Sequence, residues 1–405
     1  MLRFAVSVAC LLSLALVAVG GDWPQFRGPG GEGHSSEKNL PQTWSETENV
    51  AWKTELPGLG WSSPSIVGKQ IWLTTATDEG HSLRILCVDR DSGKLLHDVE
   101  VFHKDEPGPI HNKNSYASPS ALIEGDRVYV HYGSLGTACV STAGEVLWTE
   151  ELKHNHRHGP SGSPVIFGDL LILNCDGGDV QYVVALDKHT GKQVWRTDRE
   201  GAMSYSTPLL TEVNGQPQLI SPGGEWVHGY EPATGKEIWK VRYPGGYSVV
   251  PRPVVGHGLT FVSSSYNTAK LYAIKLGGEG DITETHVAWT LTKGAPHNPS
   301  TLLVGDELYV ISDKGILTCV DAKTGEQHYQ ERVGGNFSAS PLLADDRIYL
   351  LDENGKCTVI APGKEYRVLA ENTLPGRTLA SISAADGALF LRTDTALYRL
   401  QKPAN

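Results

Sequence analysis

One short segment of this chain recurs, with variations, along most of its length. The copy "ALDKHTGKQVW" (Ala185–Trp195) combines a small buried-strand residue, an aspartate, a Thr-Gly-Lys turn and a tryptophan. We predict a β-hairpin here, because Asp187 can accept N–H bonds from the turn and Gly191 can adopt its positive φ. Related segments begin at Cys87, Cys139, Gly229, Ala273, Cys319 and Val359. Such an internal repeat constrains the fold more than chain length does, since each unit buries its apolar face against its neighbours.

A second signature, Ser/Thr-Pro followed by apolar residues, gives the number of repeats. It occurs eight times, from "SSPSIV" at Ser62 to a degenerate "ASISAA" at Ala380. Successive copies are about 41 to 55 residues apart, the spacing of four-stranded propeller blades. We therefore predict an all-β fold, an eight-bladed β-propeller of four-stranded blades.

The two ends of the repeat array complement each other. The array begins with a Trp-type strand, "NVAWKTEL" around Trp52, and ends with "ALYRLQ" around Tyr398, which lacks its Trp-type partner. The N-terminal strand is expected to complete the last blade, because this closure leaves no open edge between the first and last blades. We assign the propeller to 49–405 and an N-terminal extension to 22–48.

The beginning of the chain has the pattern of an export signal. Residues 1–21 combine Arg3, an apolar run and small residues near its end, as in a secretory signal peptide. We predict a signal peptide over 1–21 and an exported bacterial protein, periplasmic or secreted, with no stable membrane span after cleavage. An uncleaved membrane anchor is the alternative.

The overall charge argues against one class of partner. The net charge is −11 with histidine neutral, and a negative protein repels the phosphate backbone of nucleic acid. We therefore predict no nucleic-acid partner.

The repeat pattern resembles a known family. The repeat of pyrroloquinoline-quinone (PQQ)-like propellers is similar to the pattern A-x-D-x-x-T-G-K-x-x-W, which is complete at Ala185–Trp195. The resemblance covers about Trp52 to Leu400. The segment "DWPQFRGPGGEG" from Asp22 is similar to the start of many exported bacterial members, and the chain as a whole resembles a BamB-like exported bacterial protein. The resemblance implies a fold shared by quinoprotein dehydrogenases and by non-catalytic relatives such as BamB.

The segment before each Ser/Thr-Pro strand is expected to open onto one mouth of the central channel. Aromatic and polar side chains there can stack a flat ligand or sugar, or grip a peptide. We therefore predict a protein partner, or a small molecule or carbohydrate, at this mouth; the alternative is that the aromatic residues merely cap the channel. The candidate ligand-binding residues are Trp61, Tyr116, Tyr205, Tyr247, Arg252, His297 and Phe337.

One long connection carries three histidines with alternate spacing. On an extended strand, His154, His156 and His158 would share one face, and imidazoles ligate Zn, Cu or Ni. These three are candidate metal ligands; the alternative is a solvated polar loop.

The repeated tryptophans have a structural interpretation. They recur once per blade on the outer hairpin, which favours packing between blades over cofactor binding. We assign structural roles to the repeat residues Asp187, Gly191, Trp148, Trp195, Trp239 and Trp289.

The resemblance leaves two functions open. For a dehydrogenase it implies Ca²⁺ beside the quinone, an aspartate base and, in alcohol dehydrogenases, a pair of adjacent cysteines. This sequence has no adjacent cysteines, and we match none of its acidic residues to those positions. No cofactor is firmly predicted. We predict an exported non-catalytic propeller, a BamB-like binding or protein-interaction scaffold; the alternative is a PQQ- and Ca²⁺-dependent oxidoreductase of sugars or alcohols.

Overall fold

The structure, a computed structural model, describes residues 21–403. Its eight sheets form an eight-bladed β-propeller in which the four strands of each blade are antiparallel, which confirms the predicted all-β fold. The predicted signal peptide lies almost entirely outside the described residues. No helix within 21–403 is long and apolar enough to cross a bilayer.

The strands follow the chain blade by blade from the first strand, β1 (Val50–Glu55). Blade 1 contains β2 (Ser65–Val67), β3 (Gln70–Thr77), β4 (Ser82–Asp89) and β5 (Leu95–His103), and blade 2 contains β6 (Leu122–Glu124), β7 (Arg127–His131), β8 (Thr137–Ser141) and β9 (Val146–Glu150). Blade 3 contains β10 (Val165–Phe167), β11 (Leu170–Asp176), β12 (Gln181–Asp187) and β13 (Gln193–Asp198), and blade 4 contains β14 (Leu209–Val213), β15 (Gln216–Pro222), β16 (Trp226–Tyr230) and β17 (Glu237–Arg242).

The second half of the ring has the same plan with one insertion. Blade 5 contains β18 (Val254–Gly256), β19 (Leu259–Ser263), β20 (Leu271–Lys275) and β22 (Val287–Leu291), whereas the inserted β21 (Gly280–Asp281) pairs with the edge of blade 4. Blade 6 contains β23 (Leu302–Val304), β24 (Glu307–Ile311), β25 (Ile316–Asp321) and β26 (Gln327–Arg332). Blade 7 contains β27 (Leu342–Ala344), β28 (Arg347–Leu351), β29 (Lys356–Ile360) and β30 (Val368–Thr373). Blade 8 contains β31 (Ser383–Ala385), β32 (Ala388–Arg392), β33 (Ala396–Leu400) and the N-terminal strand β1. Two short helical turns, Asp78–Gly80 and Thr283–His286, complete the elements.

Blade 8 closes the ring as the ends of the array predict. Strand β1 pairs antiparallel with β33, with Lys53 opposite Tyr398 and Glu55 opposite Ala396. β1 alternates half-buried and exposed residues, as an outermost strand should, whereas β33 is buried throughout. The N-terminal strand thus covers the edge that would otherwise remain open.

The repeated hairpin holds neighbouring blades together. The carboxylate of Asp187 accepts N–H bonds from His189 and Thr190 in the turn. Trp148 of the preceding blade packs on Gly191, whose φ is 74°, and donates its Nε1–H to the carbonyl of Lys188 at 3.0 Å. A side chain at 191 would collide with the indole, so the glycine and the tryptophan are one interblade contact.

The same contact recurs around the ring with one variation. Trp195 donates to the carbonyl of Pro232, and Trp289 to that of Ala322. Trp239 instead donates to Gln218 Oε1 within its own blade, at the edge where β21 pairs.

Residues 22–48 cross the face of the propeller that carries the turns between the first and second strands of each blade. Trp23 bridges to Ile66 in blade 1, and Ser35 bonds to Leu343 in blade 7. Glu37 accepts an N–H bond from Gly387 in blade 8. We call 22–48 the plug segment; its division from the propeller at residue 48 remains a prediction.

Candidate functional site

The central channel is a pocket with a cavity volume of about 390 Å³, within the usual size range of small-molecule sites, roughly 300–1,000 Å³. Two tiers of side chains from the eight blades form its wall. The plug segment lies across the opposite face, and its Phe26 lines the bottom of the cavity. Because the plug segment covers one end, the channel formed by residues 21–403 opens at the other end only.

The lower tier is a ring of hydroxyl groups, which we call the hydroxyl ring. Each member lies two residues before the first residue of its innermost strand, as Ser63 does before β2. The members are Ser63, Ser120, Ser163, Thr207, Ser300, Ser340 and Ser381.

Hydrogen bonds run from blade to blade around this ring. The N–H of Ser63 donates to Ser120 Oγ at 2.9 Å, and the N–H of Ser120 donates to Ser163 Oγ at 3.0 Å. The pattern continues through most of the ring at 2.9–3.0 Å. The innermost strands of neighbouring blades do not pair as sheets, so these side-chain acceptors satisfy backbone N–H groups that face the axis.

Arg252 occupies the equivalent position in blade 5. Its N–H donates to Ser300 Oγ at 2.9 Å, but its guanidinium turns away from the cavity. There it donates to the carbonyls of Phe26 and Pro208. Arg252 therefore fixes the plug segment beneath the pocket instead of lining it.

The upper tier, two residues before the hydroxyl ring in each blade, is more varied. It places two large aromatic side chains, Trp61 and Tyr205, among small polar and aliphatic ones. Its members are Trp61, Ser118, Ser161, Tyr205, Val250, Asn298, Ser338 and Leu379.

Aromatic and polar groups from the long connections surround the mouth. The His158 ring stacks on Tyr205 with centroids 5.7 Å apart and meets Tyr247 edge-on at 6.4 Å. Burial, with the nearby His111 and Arg157, lowers the pKa of His158, so this imidazole is neutral at pH 7. The aromatic group is held from below, because the Tyr205 hydroxyl donates to the carbonyl of His156 at 2.9 Å.

The wall of the pocket carries no acidic side chain among the residues that the structure describes. At the mouth, Lys113 pairs with Glu353 at 2.6 Å, and Glu353 also accepts a bond from Ser338. The Arg377 guanidinium lies over the Trp61 ring at 5.5 Å. The pocket is thus aromatic and rich in hydroxyl groups, with basic residues at its rim.

The structure places three of the seven predicted mouth residues in the pocket wall: Trp61, Tyr205 and Tyr247. Tyr116 lies instead in a separate cleft, with its ring against Gly80. His297 stacks behind Tyr266 at 4.7 Å. Neither residue is part of the pocket wall, and their assignment to the mouth stays a prediction.

The difference has a simple geometric cause. In blade 2 the proline lies two positions earlier relative to the strand than in blade 1, so counting back three residues from proline selects Tyr116. In blade 6, His297 lies one residue before the position that faces the pocket. Ser118 and Asn298 hold the places that were assigned to Tyr116 and His297.

Phe337 and Arg252 are also misplaced by the sequence prediction. Phe337 is 1% exposed and packs in the core between blades 6 and 7, because its side chain points between the sheets. Arg252 is buried beneath the hydroxyl ring, as described above.

The three predicted metal ligands do not converge. Residues 151–160 form an irregular connection without a strand, so the shared face that an extended strand would give these histidines is not formed. His156 Nδ1 pairs with Ser134 Oγ at 3.1 Å, His154 Nδ1 lies 2.8 Å from the carbonyl of Leu152, and His158 turns toward the mouth. Within 21–403, no group of three or more His, Cys, Asp or Glu side chains is placed to hold a metal ion.

Several pocket residues were missed by the sequence analysis. The hydroxyl ring had a detectable signal, a Ser or Thr at a fixed distance before seven of the eight innermost strands. Lys113, Asn114, Tyr266 and Asn267 had none, because irregular loops bring them to the mouth.

Comparison with known proteins agrees with this architecture. A family profile described as "Outer membrane protein assembly factor BamB" matches residues 42–180, 179–293 and 281–396. The chain belongs to this family. The result confirms the PQQ-like, BamB-like resemblance of the repeats.

Individual relatives are more distant. The chain is 27% identical over 198 residues to the outer membrane protein assembly factor BamB of Burkholderia pseudomallei, covering 46% of this chain and 45% of that protein. It is 26% identical over 232 residues to a 1-butanol dehydrogenase (quinone) of Thauera butanivorans, covering 52% of this chain and 35% of that protein. Each match therefore spans less than half the length of the curated relative.

A solved structure shares the fold at low identity. BamB from Moraxella catarrhalis superposes with a TM-score of 0.62 at 14% identity, covering 86% of this chain and 99% of that one. This likeness concerns the fold alone.

Proposed function

We propose that this chain is an exported binding propeller that holds its partner at the single mouth of the central pocket and performs no chemistry on it. The observation that carries the proposal is the pocket wall, which presents aromatic, hydroxyl and amide groups and no carboxylate within the described residues. Such walls bind through stacking and hydrogen bonds.

Family membership supports a protein partner. The matched profile describes an outer membrane protein assembly factor, and we extend a scaffold role of that kind to this chain. The long connections 104–121 and 151–164 supply exposed groups at the mouth, such as His111. We assign the partner contact to these two loops. Family membership and the predicted signal peptide support export.

The alternative, a quinoprotein oxidoreductase, is favoured by the likeness to the 1-butanol dehydrogenase (quinone). The residues present do not fit that cofactor. Ca²⁺ prefers several carboxylate and carbonyl oxygens, but the two acidic groups that bond to residues of the pocket wall are already engaged. Asp313 accepts bonds from His297 N–H and the Asn298 amide, and Glu353 pairs with Lys113.

Site-specific photocrosslinking in the cell envelope tests the partner contact. A photoreactive residue at His111 lies at the mouth, and one at Lys69 lies in a turn on the plugged face, as a matched control. We expect a defined adduct with an outer-membrane assembly component from position 111 and none from position 69. No adduct at 111, or the same adduct from both positions, would overturn the proposed contact.

A dye-reduction assay tests the alternative. Residues 22–405 are supplied with PQQ and Ca²⁺ and offered alcohols and sugars. We expect no reduction above the rate without protein, and PQQ-dependent turnover would replace the binding proposal by the oxidoreductase.

A further inference from the structure

The hydroxyl ring has unused hydrogen-bonding capacity. Each of its seven hydroxyls accepts a backbone N–H, but within 21–403 none donates its own O–H to a protein acceptor. These residues are only 2% to 7% exposed, and they line the cavity. Each hydroxyl oxygen thus has one partner, and its own O–H remains available, so the ring presents a converging set of O–H donors to any oxygen acceptor that enters the cavity.

Positive charge lies behind the hydroxyl ring, outside the cavity wall: Arg252 occupies the ring position of blade 5, Arg27 donates to the carbonyl of Thr301 beside Ser300, and Arg392 donates to Ser62 beside Ser63. Arg27, Arg252 and Arg392 are buried, and within the described residues none has a carboxylate within 4.0 Å. Their guanidinium groups donate to backbone carbonyls and to the hydroxyl of Ser62.

These arginines remain charged at neutral pH. Burial, together with the neighbouring Arg252, lowers the pKa of Arg27 to about 9, and burial lowers that of Arg252 to about 10. Glu32 is the acidic neighbour that partly offsets this pair. Buried charge without a full counter-charge is costly, and an anionic group in the channel would reduce that cost.

The upper tier adds a platform for a ring. Trp61 and Tyr205 stand above the hydroxyl ring, and aromatic faces bind flat or cyclic groups by stacking. A ligand that satisfies both tiers therefore combines a ring with an oxygen-rich anionic end.

We infer that the hydroxyl ring is a carboxylate site, and that the pocket takes a small ring-bearing organic acid with its carboxylate inward and its ring against Trp61 and Tyr205. The inference rests on the proposed binding function and names the ligand class of the same pocket. An aromatic acid and a sugar acid share this chemistry.

Calorimetric titration of the wild-type protein distinguishes an aromatic acid from a sugar acid, if each acid is compared with a neutral compound of similar shape. Benzoate is compared with benzamide, and glucuronate with glucose, since each pair differs mainly in the anionic group. Hydrogen bonds to a charged acceptor are roughly twice as strong as neutral ones, so we expect at least one acid to bind about tenfold more tightly than its neutral partner. The pair that shows the difference identifies the ring.

A pair of variants locates the site. Ser163→Ala removes one O–H donor, whereas Ser163→Thr keeps it, and Thr207 shows that the ring accommodates threonine. We expect Ser163→Ala to weaken acid binding about fivefold to tenfold and Ser163→Thr to leave it within about twofold. Melting temperatures of both variants identify any loss due to unfolding.

Several results would overturn the inference. If the acid and its neutral partner bound with equal affinity, the hydroxyl ring would bind water or neutral ligands and not a carboxylate. If neither acid bound, the proposed carboxylate site would be wrong. Acid binding that Ser163→Ala leaves unchanged would place the site elsewhere. The comparison of acid with neutral partner needs no variant, so misfolding of Ser163→Ala leaves it decisive. Crosslinking at His111 tests the proposed function separately.

Discussion

The backbone N–H of Ser381 donates to Ser63 Oγ at 3.0 Å. The two residues belong to the last and first blades, so this bond closes the hydroxyl ring at the axis. At the outer edge of the last blade, β1 completes the sheet by pairing with β33. The propeller is therefore joined at both its inner and outer radius.

The hydrogen bond between Ser381 and Ser63 makes a measurable contribution to the free energy of unfolding. Ser63→Ala removes the acceptor of the Ser381 N–H and leaves a buried donor unpaired, which costs about 1–3 kcal/mol. We expect a lower free energy of unfolding by that amount in urea titrations. Ser63→Thr keeps the hydroxyl and serves as control; equal losses in both variants would show that volume, not the hydrogen bond, matters here.

The interblade contact of Trp148 with Gly191 predicts a difference between two glycines of nearly equal φ. A Cβ at 191 would lie 2.6 Å from the Trp148 ring, whereas at Gly215 nothing lies within 4 Å. Gly215→Ala should cost about 1–2 kcal/mol from backbone strain alone. Gly191→Ala should cost clearly more, as measured by urea unfolding; similar costs would argue against a tight interblade contact.

The plug segment depends on the packing of Gly31 against Arg252. At Gly31, where φ is 72°, a Cβ would lie 2.3 Å from Arg252 Nη1, whereas at Gly30 its nearest neighbour is at 3.9 Å. We expect Gly31→Ala to speed limited proteolysis within 22–48 several-fold. Gly30→Ala should be cut at the wild-type rate, and equal rates for all three proteins would contradict the assigned anchor.

Buried histidines at the base of the mouth loops predict acid sensitivity. Burial, with the neighbouring His154 and His156, lowers the pKa of His131 to about 3, and burial with His154 lowers that of His156 to about 4. Their unfolded pKa is about 6.5, so the unfolded chain binds more protons below that pH. Stability is therefore fully present above about pH 6.5 and falls as the pH decreases toward 4.

The slope of this loss is measurable. Each histidine contributes about 1.4 kcal/mol per pH unit well below pH 6.5. Urea unfolding between pH 7 and pH 5 should show the decline, and His131→Asn, which cannot titrate, should flatten it. An unchanged slope in the variant would mean that His131 is neutralised by another route.

The fold was predictable because its determinants are local and repeated. The Asp187 turn and the Trp148 contact use residues at fixed offsets, and the unpaired strand around Tyr398 predicted closure by β1. The pocket was predictable only in part. Trp61 and Tyr205 follow the regular offset, but a two-residue shift of proline in blade 2 misplaced Tyr116.

The other site residues depend on distant contacts. Lys113 reaches the mouth through an irregular loop and is held by Glu353, which is far away in the sequence. Arg252 faces away from the cavity because the plug segment supplies the carbonyl of Phe26. No local pattern encodes either arrangement.

We propose above that the pocket binds its partner without Ca²⁺-dependent quinone chemistry. Calorimetric titration of residues 22–405 with PQQ, with and without Ca²⁺, tests it most directly. We expect Ca²⁺ to leave the binding isotherm unchanged, because the pocket wall within the described residues has no carboxylate to hold the ion. Tight binding of PQQ that requires Ca²⁺ would contradict the account and support the oxidoreductase.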